Sequence, residues 1–109
     1  MMAHHTPQFD PPPEGKPWGG IKDTAEFMEL LAAHRHVKAF VFGHSHVWET
    51  KKQGSLHLIN LPPVAYVFKE GLPSGWVEFG IRENGLDLNL RCINPAHPQH
   101  NQKVALDWS

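Results

Sequence analysis

The first regular hydrophobic pattern in the chain has the period of an amphipathic helix. Its stripe follows the i, i+3, i+4, i+7 spacing at Phe27, Leu30, Leu31 and His34. Asp23 and Glu26 stand at the N-cap and N3 positions of a capping box. The pattern therefore predicts a helix over residues 24–35.

Residues 37–42 form the next apolar segment. Phe40, Val41 and Phe42 follow one another without alternation, which is typical of a strand that is covered on both faces. A helix that leads into such a strand indicates an α/β fold.

Shorter segments predict further strands in the second half of the chain. His57 lies between two leucines that should occupy the opposite face, so we expect its side chain to reach solvent. The expected strands cover residues 47–51, 56–61, 65–68 and 104–108.

The dipeptide Asn84-Gly85 is the strongest hairpin signal in the sequence. It predicts that residues 77–82 pair antiparallel with residues 87–92. In that register the apolar side chains share one face, and opposite charges lie directly across the ladder at Arg82–Asp87 and Glu78–Arg91. We therefore expect a sheet with one buried and one solvated face.

Composition narrows the class of protein. The 109 residues are 40% hydrophobic, enough for one domain with a core. Ten Lys and Arg residues against eleven Asp and Glu residues give a net charge of −1, so bulk charge provides no nucleic-acid or membrane-surface signal. The single Cys92 excludes an internal disulfide and a cysteine-based zinc finger. With neither a long apolar run nor a signal-peptide pattern, we expect a cytoplasmic protein.

Histidine is unusually frequent, with nine residues in the chain. Imidazole is the commonest metal ligand in proteins. His44 and His46 directly follow the apolar strand, where Gly43 permits a tight turn, and ligands in α/β sheets bind at the carboxyl ends of strands. We interpret these two residues as metal ligands rather than as surface histidines in a turn.

His4-His5-Thr6-Pro7 forms a second histidine segment, upstream of the predicted helix. A histidine two residues before a proline, followed by a helix, an apolar strand and Gly43-His44-x-His46, resembles the calcineurin-like metallophosphoesterases. The first three sequence blocks of that family, Asp-x-His, Gly-Asp-x-x-Asp and Gly-Asn-His-Asp/Glu, do not occur in this sequence. The resemblance therefore implies that residues 1–109 are a single partial domain. This would be the C-terminal half of an αββα sandwich, with one helix feeding a mostly antiparallel β-sheet.

The same resemblance implies a set of metal ligands. His5 and His44 would hold one divalent ion and His46 a second one, with His4 as the less favoured choice in place of His5. The complete family domain holds two ions of Mn, Fe or Zn, which act on a phosphate ester substrate. The bridging aspartate, the asparagine ligand and the acid–base histidine belong to the absent blocks. We therefore assign no catalytic residue and expect little phosphoesterase activity from this chain alone.

Two other interpretations remain open. The metal-binding motif of cupin-like β-barrels is similar, at longer spacing, to His44, His46, Glu49 and Gly54. Alternatively, the chain is a non-catalytic interaction fragment. An N-terminal half or a second chain would then cover its sheet, and the isolated chain would form a homo-oligomer.

Other aromatic side chains are weaker candidates for a functional site. Trp18 and Trp76 are expected to pack, or to line a substrate cleft. Structural or surface positions are expected for the remaining histidines, His34, His36, His57, His97 and His100.

Overall fold

The computed structural model describes residues 1–108, which form a helix and two three-stranded sheets. The elements are α1 (Thr24–Ala33), β1 (Ala39–Phe42), β2 (Glu49–Gln53), β3 (Leu56–Asn60), β4 (Gly75–Arg82), β5 (Gly85–Cys92) and β6 (Lys103–Asp107). No helix in this part of the chain is long and apolar enough to cross a membrane. The α/β class is confirmed, and most strand pairs are antiparallel.

The first sheet has β3 at its centre, in the order β1-β3-β2. β3 pairs parallel with β1 and antiparallel with β2. All five residues of β3 are buried, because α1 covers one face of the first sheet and the second sheet covers the other. The second sheet has the order β4-β5-β6. Both sheets are open, so the structure contradicts a closed cupin-like barrel.

The helix packs on the outer face of the first sheet. Leu31 joins Phe40 and Phe42 in the core there, and the ring of Phe27 packs edge-on against Phe40 at 5.1 Å between centroids. The helix ends at Ala33, two residues before the predicted end, where His34 Nδ1 donates to the Leu30 carbonyl at 2.9 Å.

The predicted capping box does not form. Asp23 occupies the N-cap position, but its side chain makes no cap hydrogen bond. Thr24 acts at this end instead, accepting from Gln8 N–H at 2.8 Å and donating to the Ile21 carbonyl at 2.6 Å. The start of the helix is therefore tied to the N-terminal loop.

The second core lies between the two sheets. Val41 and Ile59 of the first sheet pack against Leu86 and Leu88 of the second. The apolar face of β5 is thus covered within this chain. The prediction for His57 was wrong: only 7% of the residue is exposed, since β3 is covered on both faces.

The hairpin of β4 and β5 forms, but its register differs by two residues from the predicted one. Arg82 pairs with Gly85 and Phe79 with Leu88, so Glu83 and Asn84 make the turn. A side chain at position 85 would collide with the backbone of Leu106 in β6, which explains why the glycine lies in the strand. A shift of two residues preserves the faces.

The predicted charge pairs survive the shift as diagonal contacts. Arg82 Nε lies 3.0 Å from Asp87 Oδ1, and Arg91 Nη2 lies 3.4 Å from Glu78 Oε2. Both pairs are on the solvated face of the second sheet, where each contributes about 0.2–1 kcal/mol.

Strand boundaries elsewhere moved by a few residues. The predicted strands 47–51, 56–61 and 104–108 correspond to β2, β3 and β6. Residues 65–68 form no strand, because they belong to a loop that begins at the buried residues Pro62 and Pro63. Proline provides no N–H for a ladder, so pairing ends there.

The N-terminal segment lies beside β1. Val41 N–H donates to the Met1 carbonyl at 2.9 Å, Ala3 N–H to the Val41 carbonyl at 3.0 Å, and Gly43 N–H to the His4 carbonyl at 3.0 Å. Residues 1–4 therefore run parallel to β1 and carry His4 and His5 to its carboxyl end.

Several apolar side chains remain exposed where β4 and the N-terminal segment form the free edges of the two sheets. Met2 is 69% and Ile81 85% exposed. We call this surface the open edge; it consists of Met2, Val64, Trp76, Phe79 and Ile81.

Candidate metal centre

Three imidazoles meet at the carboxyl end of β1. His4, His5 and His44 each offer a nitrogen, and these atoms all lie within 4.8 Å of one another. The ring centroids of His5 and His44 are 4.8 Å apart, and those of His4 and His44 are 5.1 Å apart. The expected proximity of His5 to His44 is observed, and His4 belongs to the same cluster.

The loop after β1 places these rings through an unusual backbone. His44 and His46 have φ values of +73° and +58°, in the left-handed region that costs a non-glycine residue about 1 kcal/mol or more. Gly43, which we expected to provide this freedom, is absent from the positive-φ residues. Because His44 and His46 are both left-handed, their imidazoles need not alternate between opposite faces as they would in a continued strand.

Asn60 holds the residue between the two histidines. Its Nδ2 donates to Ser45 Oγ at 2.6 Å, from the end of the neighbouring strand β3. Asn60 is buried and its Oδ1 has no hydrogen-bond partner. The sequence pattern did not single out Asn60, because nothing in its neighbours indicates that β3 ends beside the histidine loop.

The geometry of the cluster suits one transition-metal ion. Two nitrogens bound to one zinc ion, each at about 2.1 Å, are at most about 4.2 Å apart. The nitrogens of His4, His5 and His44 lie within 4.8 Å of one another, so small side-chain rotations bring them to that spacing. Imidazole is a ligand for Zn, Fe and Cu ions alike.

The side chain of His46 contacts the loop after Pro63 and is not part of the three-histidine cluster. Its Nδ1 donates to the Tyr66 carbonyl at 2.8 Å, and its ring stacks on Phe68 with a centroid distance of 4.0 Å and an interplanar angle of 5°. In the neutral ring this leaves Nε2 with its lone pair. A hydrogen bond from the other ring nitrogen to a carbonyl is the usual support for a metal-bound histidine.

The remaining histidines have other contacts. His57 Nε2 donates to the Asp107 carbonyl, and His97 Nε2 donates to the Gly71 carbonyl. His100 Nδ1 accepts from Cys92 N–H. Like His34 at the helix end, these residues make hydrogen bonds within the fold. His97 and His100, which we expected at the surface, therefore also hold loops in place.

A groove connects His4, His44 and His46, whereas His5 is not among its lining residues. We call it the histidine groove; it is lined by Met2, Ala3, His4, Val41, Phe42, Gly43, His44, His46, Leu61, Pro62 and Pro63. No Asp or Glu occurs among these lining residues, and Asp10 and Glu49 lie elsewhere. Trp76 faces a neighbouring pocket that shares Met2, Leu61 and Pro62 with the groove.

The fold of this chain occurs in solved structures. It matches Vps29 complexed with Zn²⁺ from Entamoeba histolytica with a TM-score of 0.55 and 19% identity, over 85% of this chain and 49% of that one. It also matches a protein of Streptococcus pneumoniae described as a predicted phosphoesterase, with a TM-score of 0.51 and 12% identity, over 72% and 45% of the two chains. This chain has a phosphoesterase-like fold.

The sequence provides one further comparison. Over 67 residues the chain is 31% identical to a probable cyclic nucleotide phosphodiesterase from Synechococcus sp., a match that covers 61% of this chain and 26% of that protein. No protein-family model matches. This chain of phosphoesterase-like fold thus spans about half the length of the solved structures and a quarter of the length of the curated relative.

Proposed function

We propose that this chain is the histidine-bearing part of a metal-dependent phosphoesterase, the C-terminal half of its domain. The convergence of His4, His5 and His44 at a strand end carries the proposal. The phosphoesterase-like fold and the similarity to a probable cyclic nucleotide phosphodiesterase support it.

In this proposal the N-terminal segment and the loop after β1 provide the ligands of one divalent ion. His5 and His44 would bind it, with His4 as a third imidazole. His46 Nε2 would reach a second ion. Mn, Fe and Zn all fit imidazole donors. When bound, two such ions polarise a phosphate ester and supply hydroxide near neutral pH.

The histidine groove lacks the carboxylate that a two-ion site needs. No acidic side chain lines it, and neutral imidazoles alone do not offset the charge of two divalent ions. In this proposal the missing ligands come from another polypeptide segment. We therefore expect little hydrolysis by the chain alone.

The open edge is where such a segment would bind. Met2, Leu61 and Pro62 line both the histidine groove and the adjoining apolar pocket beneath Trp76 and Phe79. A polypeptide that covers this pocket and extends either sheet would reach the histidines directly. It would be an N-terminal half on the same or another chain. In its absence, a second copy of this chain would occupy the apolar surface.

The non-catalytic interpretation, an interaction fragment, rests on the same open edge. It predicts binding of a partner without any need for a metal. The two interpretations differ in whether the histidine cluster holds an ion and whether a completed assembly hydrolyses phosphate esters.

Hydrolysis of aryl phosphate mono- and diesters with added Mn²⁺ tests the proposal. The purified chain should show little turnover, and co-expression with a polypeptide carrying the absent carboxylate blocks should restore it. His44→Ala should then abolish the restored activity, while His36→Ala, at the helix end, should retain it. Robust turnover by the chain alone that His44→Ala removes would contradict the half-site proposal. A completed assembly that is inactive with bound metal would favour the interaction fragment.

A further inference from the structure

Two exposed aromatic side chains adjoin the histidine groove without contributing to a core. Tyr66 is 62% and Phe68 66% exposed. They lie in the loop after Pro63, which the sequence pattern had placed in a strand. Large rings exposed side by side next to a binding groove are typical of ligand contact rather than of packing.

The two rings are attached to the histidine loop. Phe68 stacks on His46 at 4.0 Å, Tyr66 lies edge-on to His46 at 5.1 Å, and the Tyr66 and Phe68 centroids are 5.7 Å apart at 67°. One face of Phe68 is thus directed at His46 while most of the side chain remains in solvent. The pair offers one ring surface for stacking and a second, steeply inclined ring beside it.

The loop that carries the rings is anchored at several points. Gly75 N–H donates to the Pro63 carbonyl at 2.8 Å. His46 Nδ1 donates to the Tyr66 carbonyl at 2.8 Å, and His97 Nε2 to the Gly71 carbonyl at 2.9 Å. The aromatic pair is therefore held in place before any ligand arrives, which reduces the entropy lost on binding.

We propose that Tyr66 and Phe68 form a stacking surface for the nucleobase of a nucleotide whose phosphate lies at the histidine groove. This inference rests on the proposed function and specifies its substrate class as nucleotide phosphoesters. His44 and His46 are two positions apart, so their Cα atoms are separated by at most about 7 Å. The proposed phosphate position at His44 and the ring of Phe68, which stacks on His46, therefore adjoin the same short loop.

The chemistry of the pair fits a nucleobase. Every nucleobase has a π-face that stacks on an aromatic ring, and removal of such a ring costs about fivefold or more in affinity. The histidine groove has no acidic side chain in its lining, so no lining carboxylate would repel a phosphate there.

Binding to the zinc-loaded chain tests the inference with AMP, ribose 5-phosphate and adenosine as probes. AMP should bind about fivefold or more tightly than ribose 5-phosphate. Phe68→Leu, which keeps an apolar side chain but removes the ring, should bring that affinity ratio towards one, and Phe68→Tyr should preserve it. Phe9→Leu, at an exposed phenylalanine outside the groove, is the matched control.

Ring signals of Tyr66 and Phe68 in NMR spectra separate the two proposals. If ribose 5-phosphate binds while adenosine and AMP leave these signals unmoved, the stacking surface is wrong and the proposed function stands. If adenosine shifts them while ribose 5-phosphate does not bind, the phosphate site is wrong and the stacking surface stands. An AMP preference that survives Phe68→Leu and Tyr66→Leu would also overturn the inference.

Discussion

His57 in the central strand of the first sheet donates from Nε2 to the carbonyl of Asp107, in the edge strand of the second sheet, at 2.8 Å. The hydrogen bond joins the two sheets at a residue that is 7% exposed. The ring also lies 5.6 Å from that of Trp108. A histidine expected in solvent is therefore part of the core between the sheets.

Replacement of His57 should destabilise the fold. His57→Ala removes a buried ring and the hydrogen bond to Asp107, so the free energy of unfolding should fall by about 2 kcal/mol. Urea denaturation measures this change. His36→Ala, at an exposed position, should alter the free energy by less than about 0.5 kcal/mol. Equal stability of the two variants would mean that the hydrogen bond between the sheets is unimportant.

Removal of His44 should weaken metal binding. His44 contacts both His4 and His5 in the cluster, so His44→Ala should reduce the affinity for Zn²⁺ by about tenfold or more. Calorimetric titration measures the affinity, and at the same zinc concentration the melting temperature should rise less for His44→Ala than for the unaltered chain. His34→Ala serves as the control, since that ring is bound at the helix end. Identical zinc affinities in all three proteins would refute the three-histidine site.

Asn60 should act on the metal site through Ser45. Loss of the hydrogen bond in Asn60→Ala should cost about 1 kcal/mol of stability and lower the zinc affinity, because the left-handed conformations at His44 and His46 lose their support. Ser45→Ala removes the same bond. The double variant should therefore be no worse than Asn60→Ala alone in zinc affinity; fully additive losses would show that the two residues act separately.

The open edge should cause self-association of the isolated chain. Ile81→Lys places a charge on an edge strand, which disfavours pairing with a second copy. Sedimentation velocity should show a shift towards monomer for this variant. Leu30→Lys, at an exposed apolar position on the helix, should not produce the shift. A monomeric unaltered chain at high concentration would contradict association through this surface.

Cys92 should react slowly with thiol reagents. Burial raises the pKa of the Cys92 thiol above its ordinary value of 9.0, so less thiolate is present at a given pH than in an exposed cysteine. The folded chain should also lose stability as the pH rises above that ordinary value, since the unfolded state then releases a proton that the folded state retains. Alkylation with and without urea measures the reactivity; equal rates would contradict the burial.

The sequence pattern predicted elements well where local periodicity decides them. The run Phe40–Phe42 and the alternation around the hairpin of β4 and β5 identified the strands and the buried face of β5. On β4 the prediction of a buried face was wrong, because Phe79 and Ile81 remain exposed. The register differed because β6 approaches Gly85 closely, a contact between distant parts of the chain. His57 was misplaced for a related reason: alternation describes a strand with one wet face, whereas β3 is covered on both.

In the candidate site, too, some residues were predicted from the sequence and others only became visible through tertiary contacts. Histidine motifs indicated His5, His44 and His46, because the residue type itself carries the chemistry. Asn60, Tyr66 and Phe68 were not identified, since their importance depends on the loop after Pro63 and the end of β3 lying beside the histidines. Exposed rings and a buried amide acquire a role only once tertiary contacts are known.

Because residues 1–4 run parallel to β1, an ion in the histidine cluster would fasten this segment to the rest of the fold. His4 and His44 are 40 positions apart, and an ion shared by them would close that length of chain into a ring. In the chain-entropy description, a covalent cross-link over such a loop raises the free energy of the unfolded chain by about 4 kcal/mol. A coordinated ion acts in the same direction but can be removed. A chelator should therefore make the N-terminal segment more sensitive to aminopeptidase digestion, even in molecules that never turn over a substrate.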